Sequence, residues 1–179
     1  SDPRTEGPAD NNPGNGSRYN NQGALVVNAG SVTNGRFEVL GTSFADEVTA
    51  GSQDDKVYVR GGDNVVTTNE GDDAVRAGSG DDIIRVGAGD DTVSGGAGNN
   101  TVIGGAGMDV LTTLGGDDVI SGGTGDDTIR SDGGSDTVAG GDGNDDIDTG
   151  AGDSSADGDT VTGGAGDDVI ATGAGDDVI

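Results

Sequence analysis

Residues 71–94 read GDDAVRAGSGDDIIRVGAGDDTVS. Three times in succession a glycine is followed by two aspartates, one free position and an aliphatic residue, at nine-residue intervals. The same frame extends without a break from Val32 to Asp153; the unit 149–162 is longer by five residues, and two further units run to Ile179. Its eighth position holds Val39, Val48, Val57, Val66, Val75, Ile84, Val93, Val102, Leu111, Ile120, Ile129, Val138, Ile147, Val161, Ile170 and Ile179, all aliphatic. Repetition at a short fixed period marks a solenoid.

Composition sharpens that reading. The 179 residues carry 34 acids against 8 bases, a formal charge of −26, with 39 Gly, 29% hydrophobic residues and 2% aromatics. A conventional compact core needs more large apolar side chains. Low hydrophobicity with high charge normally means disorder, but a disordered acidic tail has no strict period. The charge repels nucleic acid and anionic membranes and attracts cations. With no Cys there are no disulfides or thiolate metal sites. With no His, Ser-His-Asp catalysis and the usual zinc sites are excluded. No apolar run reaches membrane-spanning length.

Three segments follow. Residues 1–22, with all three prolines, read as a linker or flexible tail. Sequons at Asn15 and Asn99 match a motif that is common by chance. Residues 23–31 hold the dense apolar run Ala24-Leu25-Val26-Val27, which reads either as a strand covering one end of the repeats or as a plain first strand. Residues 32–179 are the repeat domain.

Glycines at positions two and four permit positive φ, so positions one to six are expected to turn and seven to nine to form a strand. Alternation then points position eight inward. Nine is odd, so the turn must reset the face, and one strand cannot cover its own apolar side chain. Two facing strands per coil can. The expectation is an all-β solenoid of about eight 18-residue coils.

The repeats at 122–130 (GGTGDDTIR), 140–148 (GGDGNDDID) and 163–171 (GGAGDDVIA) resemble the repeats-in-toxin nonapeptide GGxGxDxUx, U being a large aliphatic residue. The resemblance weakens toward the N-terminus, where Phe44 and Gln53 replace the fourth-position glycine and Phe37 replaces the aspartate. It implies a right-handed parallel β-roll, with Ca²⁺ held between turns of successive coils on the same side.

Ca²⁺ takes six to eight oxygens from carboxylates and carbonyls. Glycine-rich turns expose carbonyls, and the sixth position supplies carboxylates. Alternate repeats share a side, so one column stacks Asp55, Asp73, Asp91, Asp109, Asp127, Asp145 and Asp168. The other stacks Asp46, Asn64, Asp82, Asn100, Asp118, Asp136, Asp159 and Asp177, with weaker sites expected at the two uncharged amides. Fifth-position acids such as Asp72 and Asp90 are expected to face solvent. Two carboxylates ~4.8 Å apart repel by roughly 3 kcal/mol at an effective dielectric of 20, so the chain is expected to fold on binding Ca²⁺. The long unit, with Asp153, Ser155, Asp157 and Asp159, reads as a loop insertion or as one extra calcium site.

Asp pairs recur in nearly every repeat, whereas a catalytic carboxylate pair is singular and lies in a cleft. The chain therefore reads as a non-enzyme. Three roles stand: a secreted calcium-binding structural module, a subunit that stacks on itself end to end in an extracellular filament or surface layer, and a module binding extracellular polysaccharide. None calls for nucleic acid or membrane insertion.

Overall fold

The computed structural model describes residues 18–19, 23–30, 35–151, 154 and 157–179. The first strands in chain order are β1 (Arg18–Tyr19), β2 (Leu25–Asn28), β3 (Glu38–Leu40), β4 (Glu47–Thr49), β5 (Lys56–Tyr58) and β6 (Val65–Glu70). They continue with β7 (Ala74–Ser79), β8 (Ile83–Ala88), β9 (Thr92–Ala97), β10 (Thr101–Ala106), β11 (Val110–Thr112) and β12 (Val119–Thr124). The last are β13 (Thr128–Asp132), β14 (Thr137–Asp142), β15 (Asp146–Ala151), β16 (Thr160–Ala165) and β17 (Val169–Ala171).

From β2 onward, successive strands alternate between two sheets. One runs β1-β2-β4-β6-β8-β10-β12-β14-β16 and the other β17-β15-β13-β11-β9-β7-β5-β3. Every pairing between repeats is parallel, and Ile83 registers with Thr101 and Thr101 with Val119, 18 residues apart each time. The 18-residue coil is therefore the unit, and seven full turns separate β2 from β16. The extra residues of the long unit are absorbed between β14 and β16, where Thr137 pairs with Thr160 and the ladder continues.

The two sheets close on a thin core. Val57, Val66, Ile84, Val102, Leu111, Ile129 and Ile147 from the eighth position are fully buried. Ile170 is only partly buried and Ile179 is exposed. Among the described residues no helix is long and apolar enough to cross a membrane.

One expectation is corrected. From β6 onward most strands have six residues and include positions one to three of the next unit, so the turn is shorter than six residues. In β8 the burial alternates as Ile83 out, Ile84 in, Arg85 out, Val86 in. The first position thus points into the core, as Val59, Ala77 and Val86 do. The second-position glycine then bends the strand; Gly87, for instance, has φ 114°. A Cβ there would stand 1.8 Å from the Asn69 carbonyl oxygen of the coil before it.

At the N-terminal end β2 joins the same ladder, Val27 pairing with Val48. Arg18–Tyr19, within the stretch read as a tail, pairs antiparallel with β2. The rest of that stretch, with the Asn15 sequon, lies outside the described residues, as do residues 31–34 at the start of the first repeat.

Candidate metal centre

The sixth-position residues stack in two columns, one along each side of the solenoid. Thirteen of the fifteen candidate ligands, from Asp46 to Asp159, are at most 2% exposed. Asp168 and Asp177 are half-buried near the C-terminal end.

Backbone N–H groups hold each column together. Asp55 N–H donates to Asp73 Oδ1 at 2.7 Å, Asp73 to Asp91 at 2.7 Å, Asp91 to Asp109 at 2.9 Å and Asp109 to Asp127 at 2.8 Å. Asp127 and Asp145 donate onward to Asp145 and Asp168 at 2.9 and 3.0 Å. The second column repeats this from Asp46 through Asn64, Asp82, Asn100, Asp118, Asp136 and Asp159 to Asp177. The fifth-position side chains run an opposite ladder on the surface. There Asp90 N–H donates back to Asp72 Oδ1 at 3.0 Å, and Asp81 N–H to Asp63 Oδ1 at 3.0 Å.

Each column carboxylate has a second oxygen, and most of these have no partner. Oδ2 of Asp73, Asp82, Asp91, Asp109, Asp118, Asp127, Asp136 and Asp145 is buried without a hydrogen bond. Where the first position is glycine, that oxygen lies against its Cα. A Cβ on Gly104 would stand 2.3 Å from Asp109 Oδ2, and one on Gly122 or Gly140 2.2 Å from Asp127 or Asp145. An unpaired buried carboxylate oxygen costs several kcal/mol unless a proton or a cation meets it.

The two amides show what the turn accepts. Asn100 Nδ2 donates to the carbonyl oxygens of Gly98 at 2.9 Å and Gly96 at 3.3 Å, the fourth and second positions of its own repeat. Asn64 Nδ2 donates to the Gly62 carbonyl and to Asp82 Oδ1, both at 2.7 Å. A positively polarised group is therefore met by turn carbonyls and a column carboxylate. An aspartate in that place brings only an acceptor.

Burial raises the carboxyl pKa values accordingly. Desolvation, the largest cause at each, pushes Asp73, Asp127 and Asp136 up to about 6 and Asp91 to about 7. Asp82, Asp109, Asp118 and Asp145 are raised for the same reason. Neighbouring carboxylates add to the rise; the hydroxyls of Thr68, Thr113 and Ser131 beside Asp73, Asp118 and Asp136, and the N–H bonds to Oδ1, oppose it.

These residues fit a hard divalent cation. The donors are all oxygen: column carboxylates and the second- and fourth-position carbonyls. Among the described residues no three acidic side chains converge on one point. An ion between neighbours in a column would therefore take two carboxylates and complete its six to eight oxygens from the backbone.

First-position hydroxyls escaped the sequence reading. Thr149 Oγ1 donates to Asp159 Oδ2 at 2.5 Å. Thr68, Thr113 and Ser131 are buried at the same repeat position. The signal was present, since the first position never carries a charge. In the long unit, Ser154 N–H donates to Asp157 Oδ2 at 2.9 Å. Asp153 and Ser155, which an extra calcium site would need, lie outside the described residues.

A family model described as the RTX calcium-binding nonapeptide repeat, built of four copies, matches residues 40–75, 67–102, 76–111, 103–138, 121–156 and 153–179. Together these matches span 40–179, more than three quarters of the chain. No curated protein matches the sequence.

Proposed function

The chain belongs to the RTX calcium-binding nonapeptide repeat family, and from that premise we propose that it is a structural module that folds on binding Ca²⁺ after secretion. The observation that carries this reading is the set of eight buried, unpartnered Oδ2 atoms in the two columns. The chain's own groups satisfy nearly everything else: ladder hydrogen bonds join the coils, aliphatic side chains fill the centre, and N–H groups hold each Oδ1. The inner carboxylate oxygens lack a partner, and bound Ca²⁺ supplies one while neutralising two stacked charges.

Column carboxylates from successive coils, Asp73 with Asp91 and Asp91 with Asp109, would hold each ion, with second- and fourth-position carbonyls completing the shell. Glycine at those positions lets the carbonyls of one coil approach the backbone of the next. Extracellular modules bind calcium at about 10⁻⁴–10⁻³ M. A chain of that affinity stays open where calcium is scarce and closes where it is abundant, which suits a protein exported before it folds.

Circular dichroism across a calcium titration tests the reading. A β spectrum that appears cooperatively with calcium and collapses with chelator supports it. A full β spectrum in chelator at neutral pH, unchanged by calcium, overturns it.

A further inference from the structure

The columns are not uniform: Asp159 Oδ2 is met by the Thr149 hydroxyl, and at the N-terminal end backbone N–H groups take that place. Asp46 and Asp55 occupy the sixth position like the aspartates after them, yet both of their carboxylate oxygens have protein partners. Asp46 Oδ1 accepts from Leu25 N–H and Thr42 Oγ1, both at 2.7 Å, and its Oδ2 accepts from Thr42 N–H at 2.6 Å. Asp55 Oδ1 accepts from Phe37 N–H at 2.7 Å and its Oδ2 from Gly51 N–H at 2.9 Å. Neither belongs to the unpartnered set, which begins at Asp73.

Backbone geometry explains the change. Strands β3, β4 and β5 have three residues each, so the second-position N–H of Thr42 or Gly51 lies outside the ladder and turns onto the carboxylate. From β6 onward that N–H is committed to the neighbouring coil, within longer strands, as when Gly105 registers with Gly87 and Gly123, or after the three-residue β11, where Leu114 N–H donates to the Gly96 carbonyl at 2.9 Å, and the carboxylate loses its donor. Consistently, no described residue from 35 to 61 has positive φ, whereas Gly62, Gly71, Gly78 and Gly80 do. The repeats concerned are those in which Phe44 and Gln53 stand for the fourth-position glycine.

The same end carries aromatic closures and an ion pair of its own, while among later coils Arg130 pairs with Asp146 at 3.6 Å. Phe37 takes the sixth position of the first repeat and packs against the core where a carboxylate would otherwise begin the column. The Phe44 ring lies over Gly23, whose Cβ would stand 3.0 Å from it. Arg36 pairs with Asp54 across the first two coils of that side.

We infer that Asp46 and Asp55 are not calcium ligands, and that the coils built on β2–β5 form a metal-independent base on which the calcium-dependent coils close. The two carboxylates act here as caps for their own turns, as an Asx side chain does in a backbone turn. The base supplies two folded edges, β4 and β5, against which β6 and β7 can pair without nucleating a new sheet. The inference rests on the calcium-dependent folding proposed above and specifies where that dependence begins.

Hydrogen exchange read by mass spectrometry on the full chain, in chelator and in saturating calcium at neutral pH, separates the two statements. The expected result in chelator is exchange slowed at least ~10-fold in β2–β5 relative to β7–β15. In calcium both regions are slowed. Rapid exchange of β2–β5 in chelator, with protection of the whole solenoid in calcium, overturns the base and leaves calcium-dependent folding standing. Equal protection of both regions in chelator overturns both.

Discussion

Asp91 and Asp109 stand one coil apart in a column: the Asp91 N–H donates to Asp109 Oδ1 at 2.9 Å, while Asp109 Oδ2 is buried with no partner. One oxygen thus splices two coils and the other needs a counter-charge. Asn100 has the same splice, its Oδ1 accepting from Asp82 N–H at 3.1 Å, but puts an amide where the second oxygen would be. Asp109→Asn should therefore keep the splice, supply its own donor to the turn carbonyls and lose a ligand. The expected outcome is a lower calcium stoichiometry together with an ion-free solenoid more stable by about 1–3 kcal/mol. Calorimetric titration and a chelated melt measure the two. A variant that loses stability in chelator contradicts the cation reading of that oxygen.

Calcium-free stability should fall as pH rises. Asp73, Asp127 and Asp136 titrate near 6 and Asp91 near 7 when folded, against an ordinary value of 3.8. In that window the folded chain binds more protons than the unfolded one. The stability they contribute is complete below about 3.8 and is lost as pH rises through 6 to 7. Relief of the net charge of −26 at low pH acts in the same direction. Melts in metal-free buffer from pH 4 to pH 8 should show β structure near pH 4 and little at pH 8. In saturating calcium the trend should reverse, because protons then compete with the ion. An ion-free melting temperature that rises with pH would sink this account.

The period made the coil readable. Sixteen aliphatic residues at one position, together with the odd repeat length, led to two facing strands, and Ile83 registers with Thr101 accordingly. The sixth-position stacking followed from the same 18-residue step. Strand length did not follow, because glycine at the second position serves equally as the start of a turn or as a bend inside a strand. Val86 shows the result: it was assigned to a turn and is fully buried. Nor could the period distinguish Asp46 from Asp91. The same letter at the same position has a donor in one repeat and none in the other, because the second-position N–H turns onto the carboxylate at Thr42 and is committed to the neighbouring coil in later repeats, as at Leu114.

Glycine substitutions should divide by position. Gly89 has φ 134°, and a Cβ there would stand 2.2 Å from the Gly71 carbonyl oxygen. Gly89→Ala combines backbone strain with displacement of a carbonyl assigned to the metal shell, so it should cost more than about 1 kcal/mol and calcium should not restore it. Gly115 lacks positive φ, and its nearest obstacle, the Gly133 carbonyl oxygen, is 3.4 Å away. Gly115→Ala should change stability by less than about 0.5 kcal/mol. Calcium-saturated denaturant unfolding of the two variants provides the comparison, and equal costs would show that the positive-φ turns are not under the constraint described.

Val119 and Ile120 are adjacent in β12 and face opposite ways, 50% and 1% exposed. Ile120→Ala deletes atoms from a core one residue thick, where the coils above and below cannot collapse without shifting the ladder. Its cost should fall in the range of about 2–5 kcal/mol. Val119→Ala removes a solvent-facing side chain and should cost less than about 1 kcal/mol. Because a one-residue slip inverts every side chain in a strand, the pair also tests register. Costs in the opposite order would place the eighth position outside and the seventh inside, and the sixth-position carboxylates would then lie on the wrong face to stack in the turns. The measurement belongs in saturating calcium, where unfolding reports the whole solenoid.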